Sequence, residues 1–179
     1  MEFQDLLEKR RSVRQYKNQK VEEEKIKKMI EAAIFAPSWK NSQVTRYYVV
    51  NGEETLKKTK AALGELNQKN VCDAPVLIVS TIVLNRSGFE RDGNPSNELG
   101  NGWGYYDCGL HHMNLLLKAT ELGLSTLVMG IRDSKKIKDT LNIPETEAVV
   151  SVIGVGYSEE IPQMPKRKTV EEITKFFEE

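Results

Sequence analysis

The chain has few of the residues that most often carry protein chemistry. Its 179 residues include two cysteines and two histidines. Cys72 and Cys108 are too few and too far apart for a disulfide framework or a four-ligand zinc site. His111 and His112 are adjacent, so on a helix their side chains diverge by about 100° and do not face one metal ion. Metal chemistry is not expected. There is no charge surplus: 26 Lys and Arg stand against 26 Asp and Glu, whereas bulk nucleic-acid binding needs a basic excess or a basic face. No apolar run approaches the roughly 20 residues of a membrane span. The opening MEFQDLLEKRR lacks the apolar stretch of a secretory signal. The expectation is a cytoplasmic protein with neither nucleic-acid nor membrane partners. Missing too are the Gly-rich phosphate loops and the G-x-S-x-G nucleophile elbow; GVGY at 154–157 has no third glycine and opens no helix.

What is present reads as one domain over 1–179, long enough to bury a proper core. A first helix leads into RRSVR. Residues 22–35 place Ile26, Met29, Ile30, Ala33 and Ile34 at helical spacing, and Pro37 closes that helix by disfavouring helical geometry in the residue before it. RYYVV at 46–50 has strand composition, followed by the Asn51-Gly52 turn signal. A weaker helix is expected over 54–66. APVLIVSTIVL at 74–84 is nearly all apolar, as in a strand buried on both faces. Residues 85–102 read as a long loop, a candidate lid. The helix over 103–123 is apolar around much of its circumference, which suits a central position or a subunit interface, with Gly123 as its end cap. A strand over 125–130, a short helix over 134–141 and a strand over 148–157 follow. Thr169 and Glu172 have capping-box spacing for a last helix over 169–179. Strands alternating with helices predict a helix-flanked sheet of the α+β or α/β class.

Four segments carry candidate chemistry. Arg10, Arg11 and Arg14, with Ser12 among them, either complement the dipole at a helix C-terminus or form an anion site, because guanidinium forks match phosphate oxygens in pairs. Pro37, Ser38, Trp39, Asn41 and Gln43 either make a polar loop anchored by the indole or present groups to a heterocycle. At Met129-Gly130 a strand ends on a residue with no side chain, which makes either a turn or a place where a flat ligand approaches the backbone. Lys166, Arg167 and Lys168 are a solvated basic patch or a second half of the anion site.

The order of these segments resembles the FMN-dependent nitroreductase family. The resemblance rests on RRSVR after the first helix, APSWKNSQ closing the second, NLLLKATELGLST leading to a strand that ends in MG, and SVIGVGY followed by PKRK. It extends over nearly the whole chain. It implies an α+β fold with a central, mainly antiparallel sheet and an intertwined homodimer binding FMN at its interface. Arg10, Arg11, Ser12 and Arg14 would then hold the ribityl phosphate and the pyrimidine edge. Pro37, Ser38, Trp39 and Asn41 would line the flavin from the partner subunit, Gly130 beside Met129 would face the reactive nitrogen, and Arg167 with Lys166 or Lys168 would complete the phosphate site. The implied activity is ping-pong hydride transfer from NADH or NADPH through FMN to nitroaromatics, quinones or related small-molecule acceptors, with no catalytic side chain named. Alternatives on the same fold are a dehalogenase, a dehydrogenase, a flavin-fragmenting enzyme, or a flavin-binding protein of low turnover. Two departures from the family pattern, Trp39 in place of a small residue and Val44 in place of proline, bear on substrate preference.

Overall fold

The computed structural model describes residues 2–178. Four strands, β1 (Thr45–Val50), β2 (Val76–Val83), β3 (Ser125–Met129) and β4 (Glu147–Gly156), form one sheet in the order β1-β2-β4-β3. Every neighbouring pair is antiparallel. The fold is therefore α+β, and the long helical connections do not impose the parallel sheet that alternation alone would also allow.

β2 lies at the centre and is buried along nearly its whole length, which its continuous apolar sequence requires. Its two faces meet different helices. Leu77 and Val79 join Leu56 of α3 (Glu53–Ala61) and Ile137 of α6 (Ser134–Leu141). Val76 and Ile78 join Ile26, Met29 and Ala33 of α2 (Glu23–Ile34), and Leu115 and Ala119 of α5 (Gly102–Glu121). The register shifts between Ser80 and Thr81, which pair with Ser151 and Val149 and so leave Val150 as an extra residue. That bulge switches which face β4 buries, so Val149 and Val152 share one cluster while Ile153 lies in the other.

Two expected helices differ from the structure. In place of one helix over 54–66 there are α3 and α4 (Glu65–Asn70), broken at Gly64. The Gly64 N–H donates to the Ile131 carbonyl at 3.1 Å, and the Asp133 N–H donates to the Ala62 carbonyl at 2.7 Å. This pairing with a distant segment, at a residue of low helix propensity, overrides the local preference. The last helix, α7, spans only Val170–Ile173, although its capping box is formed by Thr169 and Glu172. Its residues are exposed, and so short a helix with no face to bury does not propagate. Glu179, the end of the expected helix, lies outside the described residues.

The glycines of GVGY serve packing. A Cβ on Gly156 would stand 2.9 Å from the Tyr16 ring, and one on Gly154 would stand 3.1 Å from its hydroxyl. The buried Tyr16 hydroxyl donates to the Val13 carbonyl at 3.0 Å, with the Gly154 carbonyl at 3.4 Å. The strand glycines thus seat the residue that follows the arginine segment.

Candidate active site

That segment begins where α1 (Phe3–Lys9) ends, with Arg10 already extended. Ser12 makes a parallel bridge to Thr126, and the Val13 N–H donates to the Thr126 carbonyl at 3.0 Å. Pinning Val13 inward turns Ser12 and Arg14 outward. Arg10, Arg11, Ser12 and Arg14 line a concavity of about 340 Å³, whose other wall includes Gln163 and Arg167 from the chain after β4. Burial holds the Arg10 pKa below its ordinary value, and the Arg11 and Arg167 charges add to this. Arg11 and Arg14 donate to the carbonyls of Arg10 and Ser12, at 2.7 and 3.1 Å. Among the described residues none of the four guanidiniums forms an ion pair. Four like charges around one hollow favour a multiply charged anion such as a phosphate. Of the basic tail residues, Arg167 enters this corner, while Lys166 and Lys168 are exposed and do not line it.

Pro37, Ser38, Trp39 and Asn41 lie elsewhere, and none of them lines the arginine hollow. They sit where α2 gives way to a 3-10 turn, Trp39–Asn41, before β1. Lys40, Asn41 and Gln43 all have φ near +50° (45°, 54° and 48°), a region that costs a non-glycine residue energy. Local bonds hold this shape: the Ser38 hydroxyl accepts the Gln43 N–H at 3.0 Å, and the Asp107 carboxyl accepts the Trp39 N–H at 3.1 Å. Trp39 packs on Trp103 with ring centroids 4.5 Å apart.

The third candidate lies at the end of β3. Met129 is 2% exposed and its side chain belongs to the core. Gly130 is exposed; a Cβ there would meet nothing within 4 Å, and its φ is not positive. Neither crowding within the chain nor backbone geometry calls for glycine at this position. Arg132 donates to the Gly130 carbonyl at 2.6 Å and also to the Val149 carbonyl, fixing the strand end.

Sequence reasoning missed Asp107, Ser87 and Trp103. Asp107 carried a signal, because it falls on the inward stripe of α5 with Gly104, Cys108, His111 and Leu115. A carboxyl group on such a stripe is buried for a purpose.

The profile of the Nitroreductase family matches residues 7–157, and the chain belongs to that family. It is 32% identical over 168 residues to a putative NADH dehydrogenase/NAD(P)H nitroreductase of Methanothermobacter thermautotrophicus, covering 90% of this chain and 80% of that protein. A nitroreductase family protein of Clostridium difficile 630 superposes with a TM-score of 0.81 at 27% identity, covering 98% of each chain. An FMN-dependent nitroreductase of Clostridium difficile R20291 superposes with a TM-score of 0.69 at 28% identity, covering 94% of this chain and 92% of that one.

Proposed function

We propose that this protein is an NAD(P)H-dependent FMN oxidoreductase that acts, as a homodimer, on nitroaromatics, quinones or related acceptors. The observation that carries the reading is the arginine hollow: among the described residues the guanidiniums of Arg10, Arg11, Arg14 and Arg167 form no ion pair, the nearby Glu160 carboxylate instead accepting the Arg14 backbone N–H at 2.8 Å, and they surround a space that suits a phosphate dianion. Bound FMN would supply reversible two-electron chemistry, accepting hydride from a nicotinamide and passing it to the acceptor. The protein's part is to bind, orient and screen. The arginines would hold the phosphate and the pyrimidine edge of the ring, where positive charge would offset negative charge on the flavin. Gly130 lets a flat ring lie against the backbone. Pro37, Ser38, Trp39 and Asn41, remote from the arginines in one chain, serve the flavin held mainly by a second copy.

An exposed groove supports pairing of two copies. It has a volume of about 450 Å³ between α1, α2 and α5, with Phe3, Leu6, Ala32, Phe35 and Leu117 set among Lys28, Glu31, Asn114, Lys118 and Glu121. Phe35 is 86% exposed. Gly109, on the outward side of α5, has nothing within 4 Å of where its Cβ would be. Glycine inside a helix costs about 0.5–1 kcal/mol, a cost that close approach by another chain offsets.

The test is a visible spectrum. The purified protein, or the protein after mixing with FMN and desalting, is expected to be yellow, and anaerobic NADH or NADPH is expected to bleach it within seconds. A protein that stays colourless in the presence of FMN refutes the reading; a yellow protein that neither nucleotide reduces leaves a flavin-binding protein without this activity.

A further inference from the structure

Asp107 is 2% exposed and forms no ion pair among the described residues. Its carboxyl oxygens each accept the Trp39 N–H at 3.1 Å, and one accepts the Ser87 hydroxyl at 2.6 Å. Ser87 is itself 1% exposed. One buried side chain of α5 therefore fastens two separate segments, the strained turn at Trp39 and the start of the loop between β2 and α5.

Other contacts close the same unit. Trp103 packs on Trp39 at a tilt of 46° and meets Tyr106 edge-on, with centroids 5.7 Å apart. The Trp103 indole N–H donates to Asn97 at 2.9 Å. The Lys40 ammonium reaches Glu90 at 2.9 Å, and Ser96 donates to the same carboxylate at 2.6 Å. The loop closes under the indole at Gly88, where a Cβ would stand 2.8 Å from the Trp103 ring and 2.4 Å from the Gly100 carbonyl. These contacts make the segment part of the wall beside Trp39. The three positive φ values within residues 40–43 make the restraint necessary, because a strained turn persists only where its surroundings hold it.

We propose that Asp107 is a positioning residue. It presets Trp39, Trp103 and Tyr106 as a rigid aromatic wall that admits flat acceptors to the flavin and disfavours thicker ones. The selectivity half of this proposal rests on the reading above, which places Trp39 beside the flavin; the positioning half rests on the hydrogen bonds alone. Asparagine at 107 keeps one oxygen for the Trp39 N–H and turns an amide toward the Ser87 hydroxyl, which can accept. Alanine keeps neither contact.

The chain's two tryptophans, Trp39 and Trp103, are both in this unit, so their coupled circular-dichroism signal reports on it directly. The couplet and the KM for menadione are measured for the wild type, Asp107→Ala and Asp107→Asn. Asp107→Ala is expected to lose the couplet and raise the menadione KM by about tenfold or more. Asp107→Asn is expected to restore both. An unchanged couplet and KM in Asp107→Ala overturn the proposal, as does an Asp107→Asn protein as impaired as the alanine variant. If Asp107→Ala does not fold, Ser87→Ala is expected to weaken the couplet and raise the KM in the same direction, and its failure to do so overturns the proposal. A wild-type protein that takes up no FMN refutes the flavin reading and the selectivity half with it, while the couplet still decides the positioning half.

Discussion

At the scale of single residues, the inward side of α5 joins groups that ordinary solvent exposure would keep charged or reactive. His112 is 8% exposed; burial pushes its pKa down to about 4, and neighbouring His111 adds to the effect. Its Nε2 lies 3.3 Å from the Cys108 sulfur, whose thiol burial pushes up to about 11. The pair is a neutral thiol beside a neutral imidazole, without the thiolate that nucleophilic chemistry needs. The fold therefore disfavours protonation of His112 while the unfolded chain, titrating near 6.5, accepts it. As pH falls from about 6.5 to 4 the unfolded state gains the proton first, so stability contributed by this residue is lost across that window, by up to roughly 3 kcal/mol. Urea unfolding at pH 7 and pH 4.5 is expected to give a smaller pH difference for His112→Gln than for the wild type. Equal differences would show that the imidazole is reached by protons in the folded state. Sequence spacing shows that the two histidines diverge but does not reveal that both are buried, because burial depends on what packs across the helix; the His112 ring lies 6.4 Å from that of Tyr47 on β1.

At the scale of elements, the end of β3 separates stability from function. Since a Cβ on Gly130 meets nothing in the chain, Gly130→Ala is expected to leave the unfolding midpoint of the flavin-free protein unchanged or raise stability by about 0.4–1 kcal/mol. FMN affinity, followed by quenching of flavin fluorescence, is expected to fall by about tenfold or more, equivalent to about 1.4 kcal/mol. Unaltered affinity would move the flavin away from this strand end. The elements read most easily from sequence were those whose own periodicity decides them: α2 with its apolar stripe, β2 with its unbroken apolar run, and β4. The split between α3 and α4 escaped because it is made by Ile131 and Asp133, far along the chain. The arginine segment and the APSWKNSQ turn were legible as motifs. Their anchors were not, since Asp107 and Ser87 read locally as ordinary polar residues and gain meaning only when three segments meet.

At the scale of the whole molecule, one copy leaves much apolar surface uncovered. Beyond β4 the chain carries Ile161, Ile173, Phe176 and Phe177, between 70% and 91% exposed. If that tail lies on a second copy, replacing Phe176 and Phe177 together with Asp is expected to weaken dimerisation at least about a hundredfold, since burying each ring contributes about 1.5–3 kcal/mol. Light scattering coupled to size exclusion reads the outcome, and an unaltered dimer would assign the tail to some other role. The sheet order also governs how the molecule comes into being. Its central pairing joins β2 to β4, with Ser80 and Ser151 facing each other across 71 residues of chain. Loop-closure entropy must be overcome before that contact forms, so the topology favours slow folding over rapid local assembly. During synthesis β2 emerges well before β4, and its apolar faces need shelter until the later strand arrives.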